Sequence, residues 1–222
     1  MSHARSVPVQ IRVGTALIEG DLTVPEPARG LVVFAHGSGS SRFSQRNRFV
    51  ADRLVGGGFA TLLLDLLTRH EDAVDQRTRE YRFDIERLGH RVVAAIDWAA
   101  GVPALSPLPI ACFGASTGAA AALIAAAERP EFVQAVISRG GRPDLAGEAL
   151  ARVLAPTLLI VGGYDTEVIQ LNQTAMRQMH APAELAIVPG ATHLFEEPGA
   201  LDQVCRLALG WCRKYLHIGP GV

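Results

Sequence analysis

The feature that most constrains this chain is Gly114-Ala115-Ser116-Thr117-Gly118. It is set between the apolar run Leu108-Pro109-Ile110-Ala111-Cys112-Phe113 and the alanine-rich segment Ala119 to Ala127. In order, these read as strand, tight turn and helix. A serine on so sharp a turn sits in a strained backbone conformation, and only glycine-sized flanks let strand and helix close around it. The turn lifts Oγ above the sheet, and the helix aims its N-terminus at whatever the serine attacks. In a chain with 22 glycines a bare G-x-S-x-G carries little weight. The strand before it and the helix after it turn a tight-turn serine into a candidate nucleophile.

A base and an acid follow. Thr157-Leu158-Leu159-Ile160-Val161 reads as a buried strand, with Gly162-Gly163-Tyr164-Asp165 leaving its end. Leu185-Ala186-Ile187-Val188 reads as another, followed by the loop Pro189 to Phe195, which carries His193. Ser116, Asp165 and His193 thus each fall just after a strand. In that arrangement the histidine takes the serine proton, while the aspartate fixes its tautomer and stabilises the imidazolium. Taken singly, Asp165 reads as the N-cap of a helix from Thr166 to Met179, and His193 is one of seven histidines. Spacing and order unite them. Glu167 is the rival acid, but it falls inside the first helical turn.

The strand Gly30 to Ala35 runs into His36-Gly37-Ser38-Gly39-Ser40-Ser41. A glycine-rich turn lets backbone N–H groups point at a developing oxyanion without obstruction by a Cβ. The amides of Ser38 and Thr117 are the expected oxyanion donors, with Gly37 and Gly39 bordering the substrate. His36 lies too early in the chain to be the base and is expected to brace the loop.

Four pieces carry a resemblance: His36-Gly37-Ser38-Gly39-Ser40-Ser41-Arg42, Gly114-Ala115-Ser116-Thr117-Gly118-Ala119, Gly163-Tyr164-Asp165 and Gly190-Ala191-Thr192-His193-Leu194-Phe195. Together they span nearly the whole chain, and they resemble the small, lidless hydrolases of the dienelactone hydrolase-like group in the α/β-hydrolase superfamily. The chain order serine, aspartate, histidine is that superfamily's. The resemblance implies a serine hydrolase of carboxylic esters or lactones working through an acyl-enzyme, with no cofactor. In one respect the chain departs from the group: the enzyme that names it uses a cysteine nucleophile, and serine stands here. The loop His36 to Arg42 also lacks an acidic residue to restrain a thiol. Dienelactone itself is therefore not the expected substrate. Acyl transfer, thioester or amide cleavage on the same triad are the alternatives, followed by a non-catalytic binding protein on the same fold.

Alternating strands and helices call for a mostly parallel central sheet of about eight strands with helices on both faces, as in an α/β-hydrolase fold. The expected order opens with strands Val9 to Val13 and Ala16 to Thr23, joined through Gly14. Helix Asn47 to Val55, strand Thr61 to Asp65 and helix Ile85 to Ala100 follow. Strand Ala135 to Ser138, a short helix from Asp144 and a last helix Leu201 to Leu216 complete it. The stretch Arg139 to Pro156 is too short for a cap domain. Leu66 to Tyr81 is expected to be irregular, either a solvated loop or one rim of the cleft. At 222 residues and 49% hydrophobic, the chain suits one domain over residues 1–222.

A net charge of −1 argues against nucleic acid or a membrane surface as partner, leaving a small-molecule ester or lactone. Cys112, Cys205 and Cys212 form no metal-ligand spacing and read as buried apolar side chains, so no metal is expected. Met1 to Gln10 has no signal-peptide core, and no apolar run approaches the roughly 20 residues of a membrane span. A cytoplasmic enzyme is the expectation. Two arginine groups, Arg42, Arg46 and Arg48 and then Arg139 and Arg142, fall at strand ends where ligands bind in α/β folds. Arg42 and Arg139 are candidates to hold a carboxylate or phosphate on the substrate. The competing reading, favoured on the sequence, is that these arginines pair with Asp52, Asp65, Asp144 or Glu196 and brace loops.

Overall fold

A computed structural model describes residues 4–217; the ends of the expected domain, residues 1–3 and 218–222, lie outside the described residues. The strands are β1 (Ser6–Val13), β2 (Ala16–Thr23), β3 (Leu31–Ala35), β4 (Ala60–Leu64), β5 (Ile110–Ala115), β6 (Val133–Arg139), β7 (Thr157–Gly162) and β8 (Ala183–Val188). They form one eight-stranded sheet in the order β1-β2-β4-β3-β5-β6-β7-β8. The hairpin β1–β2 and the pair β2–β4 are antiparallel; every pairing from β4 through β3 and β5 to β8 is parallel.

The helices are α1 (Gln45–Gly56), α2 (Arg69–Thr78), α3 (Ile85–Ala100), α4 (Gly118–Glu128), α5 (Thr166–Met176) and α6 (Ala200–Tyr215). Strands β3, β4 and β5 are buried at every position, which is why they read as unbroken apolar runs: helices cover both faces. Alternate residues of one strand serve opposite cores. Val33 and Ala35 pack with Leu88, Val92 and Ile96 of α3. Val32 and Phe34 pack with Val50 and Leu54 of α1 and Val204 of α6. Phe34 stacks on Phe113 across the strand pair, with centroids 4.7 Å apart.

Two expectations need correction. Leu66 to Tyr81 is not irregular, because α2 occupies most of it. Thr68 accepts from the Glu71 N–H while the Glu71 carboxylate accepts from the Thr68 N–H, a capping box that starts the helix. Only Asp75 of this helix is buried, so no apolar period announced it. The segment expected as one short helix from Asp144 is a 3₁₀ segment, Pro143–Arg152, broken at Gly147 (φ 53°, ψ −129°). It packs on α4 and α5 and leaves the sheet edge uncapped. The C-terminal ends of β3, β5, β6, β7 and β8 all open on that edge, and every candidate residue sits there.

Candidate active site

Ser116 follows β5 with φ +51°, the left-handed region that a side chain rarely adopts. Its neighbours explain why the turn can close. A Cβ on Gly114 would lie 2.4 Å from Ala119 Cα, and one on Gly118 would lie 2.3 Å from the Ala35 carbonyl oxygen. A Cβ on Gly37 would come within 2.9 Å of Ser116 Cβ, so the loop after β3 presses directly on the Ser116 turn. The end of β6 holds that turn: Ser116 N–H donates to Arg139 O (3.2 Å), and Arg142 N–H donates to Ser116 O (3.0 Å). Cys112, inside β5, is fully buried, and burial pushes its thiol up to about 12.

His193 Nδ1–H donates to Asp165 Oδ2 at 2.6 Å. Asp165 occupies the N-cap position of α5 yet makes no side-chain cap bond there; its carboxylate serves the histidine. Glu167, in the first turn of α5, is exposed. Ser116 and His193 line one open cavity of about 210 Å³ together with Gly37, Ser38, Arg46, Asn47 and Arg139. Among the described residues no hydrogen bond ties Ser116 Oγ to His193; such contacts are commonly long in unliganded sites and tighten on substrate.

The two expected oxyanion donors are linked to each other. Ser38 N–H donates to Thr117 Oγ1 at 3.0 Å, and the two hydroxyls lie 2.9 Å apart. Ser38 Oγ also donates to the Arg82 carbonyl at 3.1 Å, joining the loop to the segment after α2. Buried Asp75 stiffens that segment, accepting from the N–H groups of Tyr81 and Arg82 and from Arg82 Nε. Thr117 is the N-cap of α4, whose hydrogen bonds start with Ala119 N–H to Ser116 O and Ala120 N–H to Thr117 O. The helix therefore leaves the Thr117 N–H unused. His36 braces the loop: Nε2 accepts from Leu66 N–H (3.0 Å) and Nδ1–H donates to Gly37 O (2.9 Å). Burial lowers its pKa below the usual histidine value, with the Gly37 carbonyl and the charges of Asp65 and Asp72 opposing. Gly39 lies outside the Ser116 cavity and serves the loop's turn with φ +68°.

The arginines divide. Arg42 is ion-paired with Glu19 (2.8 Å), Asp21 (3.4 Å) and Asp65, and does not line the Ser116 cavity. Its charge is consumed in bracing the loop against β2 and the end of β4. Arg46 pairs with Glu196 (3.2 Å), Arg48 with Asp21 (3.0 Å) and Arg142 with Asp144 (2.7 Å); Asp52 forms no ion pair among the described residues. Arg139 is buried and lines the cavity, and its Nη2 donates to Asn47 Oδ1 at 3.1 Å. Burial, with the nearby Arg46 charge adding to it, pushes its pKa down to about 10. Sequence reasoning missed Asn47. The signal was its place, with Val50, Ala51 and Leu54, on the buried face of α1, where an apolar residue belongs. Among the described residues no cluster of three His, Cys, Asp or Glu side chains could hold a metal, and no helix is long and apolar enough to cross a membrane.

The model of the dienelactone hydrolase family matches residues 17–207, a stretch that holds the elbow, Asp165 and His193. The chain belongs to the dienelactone hydrolase family. Among solved structures it is similar to a dienelactone hydrolase from Anabaena variabilis ATCC 29413, at 55% identity and TM-score 0.95, covering 97% of this chain and 100% of that one. A dienelactone hydrolase-like promiscuous phosphotriesterase, P91, from metagenomic libraries shares the fold at TM-score 0.77 and 19% identity, over 97% of this chain and 100% of that one. Of curated proteins, it is 56% identical over 98% of its length to the "Putative phosphoribosyl transferase Rv0571c" of Mycobacterium tuberculosis (strain ATCC 25618 / H37Rv), of which it covers 48%. This member of the dienelactone hydrolase family thus spans about half the length of the curated relatives it matches.

Proposed function

We propose that this protein is a serine hydrolase of carboxylic esters or lactones, with Ser116 as nucleophile, His193 as base and Asp165 as its orienting acid. The observation that carries the reading is the 2.6 Å hydrogen bond from His193 to an Asp165 carboxylate that caps nothing, beside a serine held at φ +51° on the same cavity. With Nδ1 donating to Asp165, Nε2 is left as the acceptor for the Ser116 proton. Oγ attacks the acyl carbon, and the electron pair of the carbonyl moves onto its oxygen. The Thr117 and Ser38 amides and the N-terminus of α4 receive that charge. His193 then protonates the leaving alkoxide, the alcohol departs, and a water deprotonated by His193 frees the acyl-enzyme. For the Ser38 amide to serve, the Thr117 hydroxyl that it binds at rest must turn or share it.

The cavity of about 210 Å³ and the uncapped sheet edge suit short acyl groups. The transferase name belongs to relatives about twice as long, and the arrangement around Ser116 is one for attack by a hydroxyl on an acyl carbon. A fluorophosphonate probe on the intact protein, followed by 4-nitrophenyl esters of rising chain length and a lactone, tests the reading. Labelling should be lost in Ser116→Ala, and efficiency should fall with acyl length. Labelling that survives Ser116→Ala, or none in the wild type, overturns it.

A further inference from the structure

Helix α2 adds almost nothing to either apolar core: its only buried side chain is Asp75, a carboxylate 1% exposed. A helix that buries no apolar face must be held by other means. Its start is the capping box of Thr68 and Glu71, and the Glu71 carboxylate also pairs with Arg91 (2.8 Å) and Arg87 (3.1 Å) of α3. Charge thus moors α2 to a helix of the main core. At its other end Arg79 takes the left-handed conformation, φ +60°, and the chain turns back over Asp75. The Asp75 carboxylate accepts from Tyr81 N–H (2.9 Å), Arg82 N–H (2.8 Å) and Arg82 Nε (2.7 Å), and Arg82 Nη2 donates to Asp75 O (3.1 Å). These four bonds fix where the Arg82 carbonyl points.

That carbonyl receives the Ser38 hydroxyl at 3.1 Å, and the consequence is directional. A hydroxyl has one proton to donate. With the Ser38 proton on Arg82 O, the 2.9 Å contact between the two hydroxyls has Thr117 Oγ1 as donor and Ser38 Oγ as acceptor. The Thr117 oxygen keeps its lone pairs for the Ser38 N–H, which it accepts at 3.0 Å. During catalysis the Ser38 amide must exchange that acceptor for the substrate oxyanion. The two hydroxyl bonds, Thr117 to Ser38 and Ser38 to Arg82 O, are not needed for the exchange and stay in place. The loop therefore holds still while its amide changes partner.

We propose that Asp75 is a positioning residue for catalysis: through the Arg82 carbonyl and the Ser38 hydroxyl it sets the Ser38 amide where the oxyanion forms. This rests on the hydrolase reading above and extends the machinery to α2. Neither Asp75 nor Arg82 lines the Ser116 cavity, so an effect of Asp75 on rate must travel through Ser38. Placement matters because a preorganised donor acts on charge that exists only in the transition state, where a displacement of about 1 Å can cost about 10²-fold.

The test is a double-mutant cycle on 4-nitrophenyl butyrate hydrolysis with wild type, Asp75→Asn, Ser38→Ala and the double variant. Asp75→Asn keeps the shape but can turn an N–H donor toward Arg82 Nε. Its kcat should fall about ten- to a hundred-fold with KM little changed, as for a group that acts only in the transition state. Ser38→Ala cuts the link and keeps the amide, so in that background Asp75→Asn should lose most of its effect. An effect that keeps half or more of its size in log units there overturns the inference, since Asp75 then braces the fold and not Ser38. So does a wild-type kcat in Asp75→Asn, or a loss confined to KM. Should Asp75→Asn fail to fold by circular dichroism, Arg82→Met, which breaks the ion pair and keeps the backbone, takes its place in the cycle. Each of these failures leaves the hydrolase reading standing. A wild type that neither cleaves the ester nor takes a fluorophosphonate label overturns both.

Discussion

Ser38 and Thr117, far apart in the chain, are joined twice: the Ser38 amide donates to Thr117 Oγ1 at 3.0 Å and their hydroxyls lie 2.9 Å apart. These are the residues whose backbone N–H groups the proposed mechanism needs side by side. The threonine hydroxyl therefore has two possible effects, holding the Ser38 loop against the nucleophile turn or occupying one oxyanion donor. Ser38 Oγ is also anchored to the Arg82 carbonyl, so the loop is a tied strap whose position depends on every link.

Thr117→Val removes the hydroxyl and keeps the shape. If positioning dominates, kcat should fall by roughly ten-fold with KM little changed, less than the loss of a whole oxyanion donor, about 10²–10³. Thr117→Ser should stay near wild type. A rise in kcat for Thr117→Val would show instead that the hydroxyl blocks the Ser38 amide.

The triad assignment makes a sharper demand. Ser116→Ala should lower ester turnover on the order of a million-fold, as in serine proteases. Asp165→Asn should cost on the order of 10⁴-fold, because the amide stabilises the wrong histidine tautomer. Circular dichroism and thermal melts should show both variants folded. Glu167→Gln, an exposed change on α5, should leave turnover within about two-fold, as surface changes usually do little. A larger loss for Glu167→Gln than for Asp165→Asn would reassign the acid.

What the sequence showed of this site follows from which constraints are local. The turn at Ser116 demands small flanks at Gly114 and Gly118; for Gly114 the reason, backbone of Gly118 and Ala119 within 2.5 Å of its Cβ position, lies within one strand–turn–helix unit, whereas Gly118 is confined by the Ala35 and His36 carbonyls at the end of the neighbouring strand. The helix Ile85–Ala100 was legible because its apolar stripe repeats at helical spacing. Helix α2 was hidden because it buries a single residue, Asp75, and its start signal, Thr68 with Glu71, looks like loop composition. The fate of each arginine was not legible either. Arg42 and Arg139 look alike in the sequence, and only the register of β2 and β4 brings Glu19, Asp21 and Asp65 to the first, while α1 brings Asn47 to the second.

Gly118→Ala tests the packing side of the turn. The added methyl would meet the Ala35 and His36 carbonyl oxygens at 2.3 Å and 2.5 Å, and neither can move without shifting the end of β3 and the loop that carries Ser38. Overpacking of this kind costs about 1–3 kcal/mol and occasionally more. We expect the upper end, read as a drop in the denaturation midpoint, together with loss of fluorophosphonate labelling. A Gly118→Ala protein of wild-type stability would mean that the elbow is looser than its geometry indicates. Gly190→Ala serves as a contrast: nothing lies within 4 Å of its Cβ position, so its cost comes only from φ +72°.

His36 gives a pH dependence whose sign follows from its burial. Burial holds its folded pKa below the ordinary value of 6.5, while in the unfolded chain the imidazole titrates near that value. Above about pH 6.5 both states carry a neutral ring, and this group adds no slope to stability. As the pH falls below 6.5, the unfolded chain takes up a proton that the folded chain refuses, so stability drops. The drop continues until the folded pKa is reached and is complete below both values. The refusal has a structural cause: Nε2 accepts from Leu66 N–H, so protonating it breaks the bond that ties the loop after β3 to the end of β4. Carboxylates with lowered pKa values, such as Asp75 and Asp84, lose their contribution only below about pH 4. Between about pH 5 and about pH 6.5 those carboxylates add no slope, and the difference between wild type and a His36 variant reports this histidine. Denaturant midpoints measured across that interval should fall more steeply for wild type than for His36→Gln, whose amide can accept from Leu66 and donate to Gly37 without titrating. Parallel slopes in the two proteins would show that His36 is not a buried neutral brace.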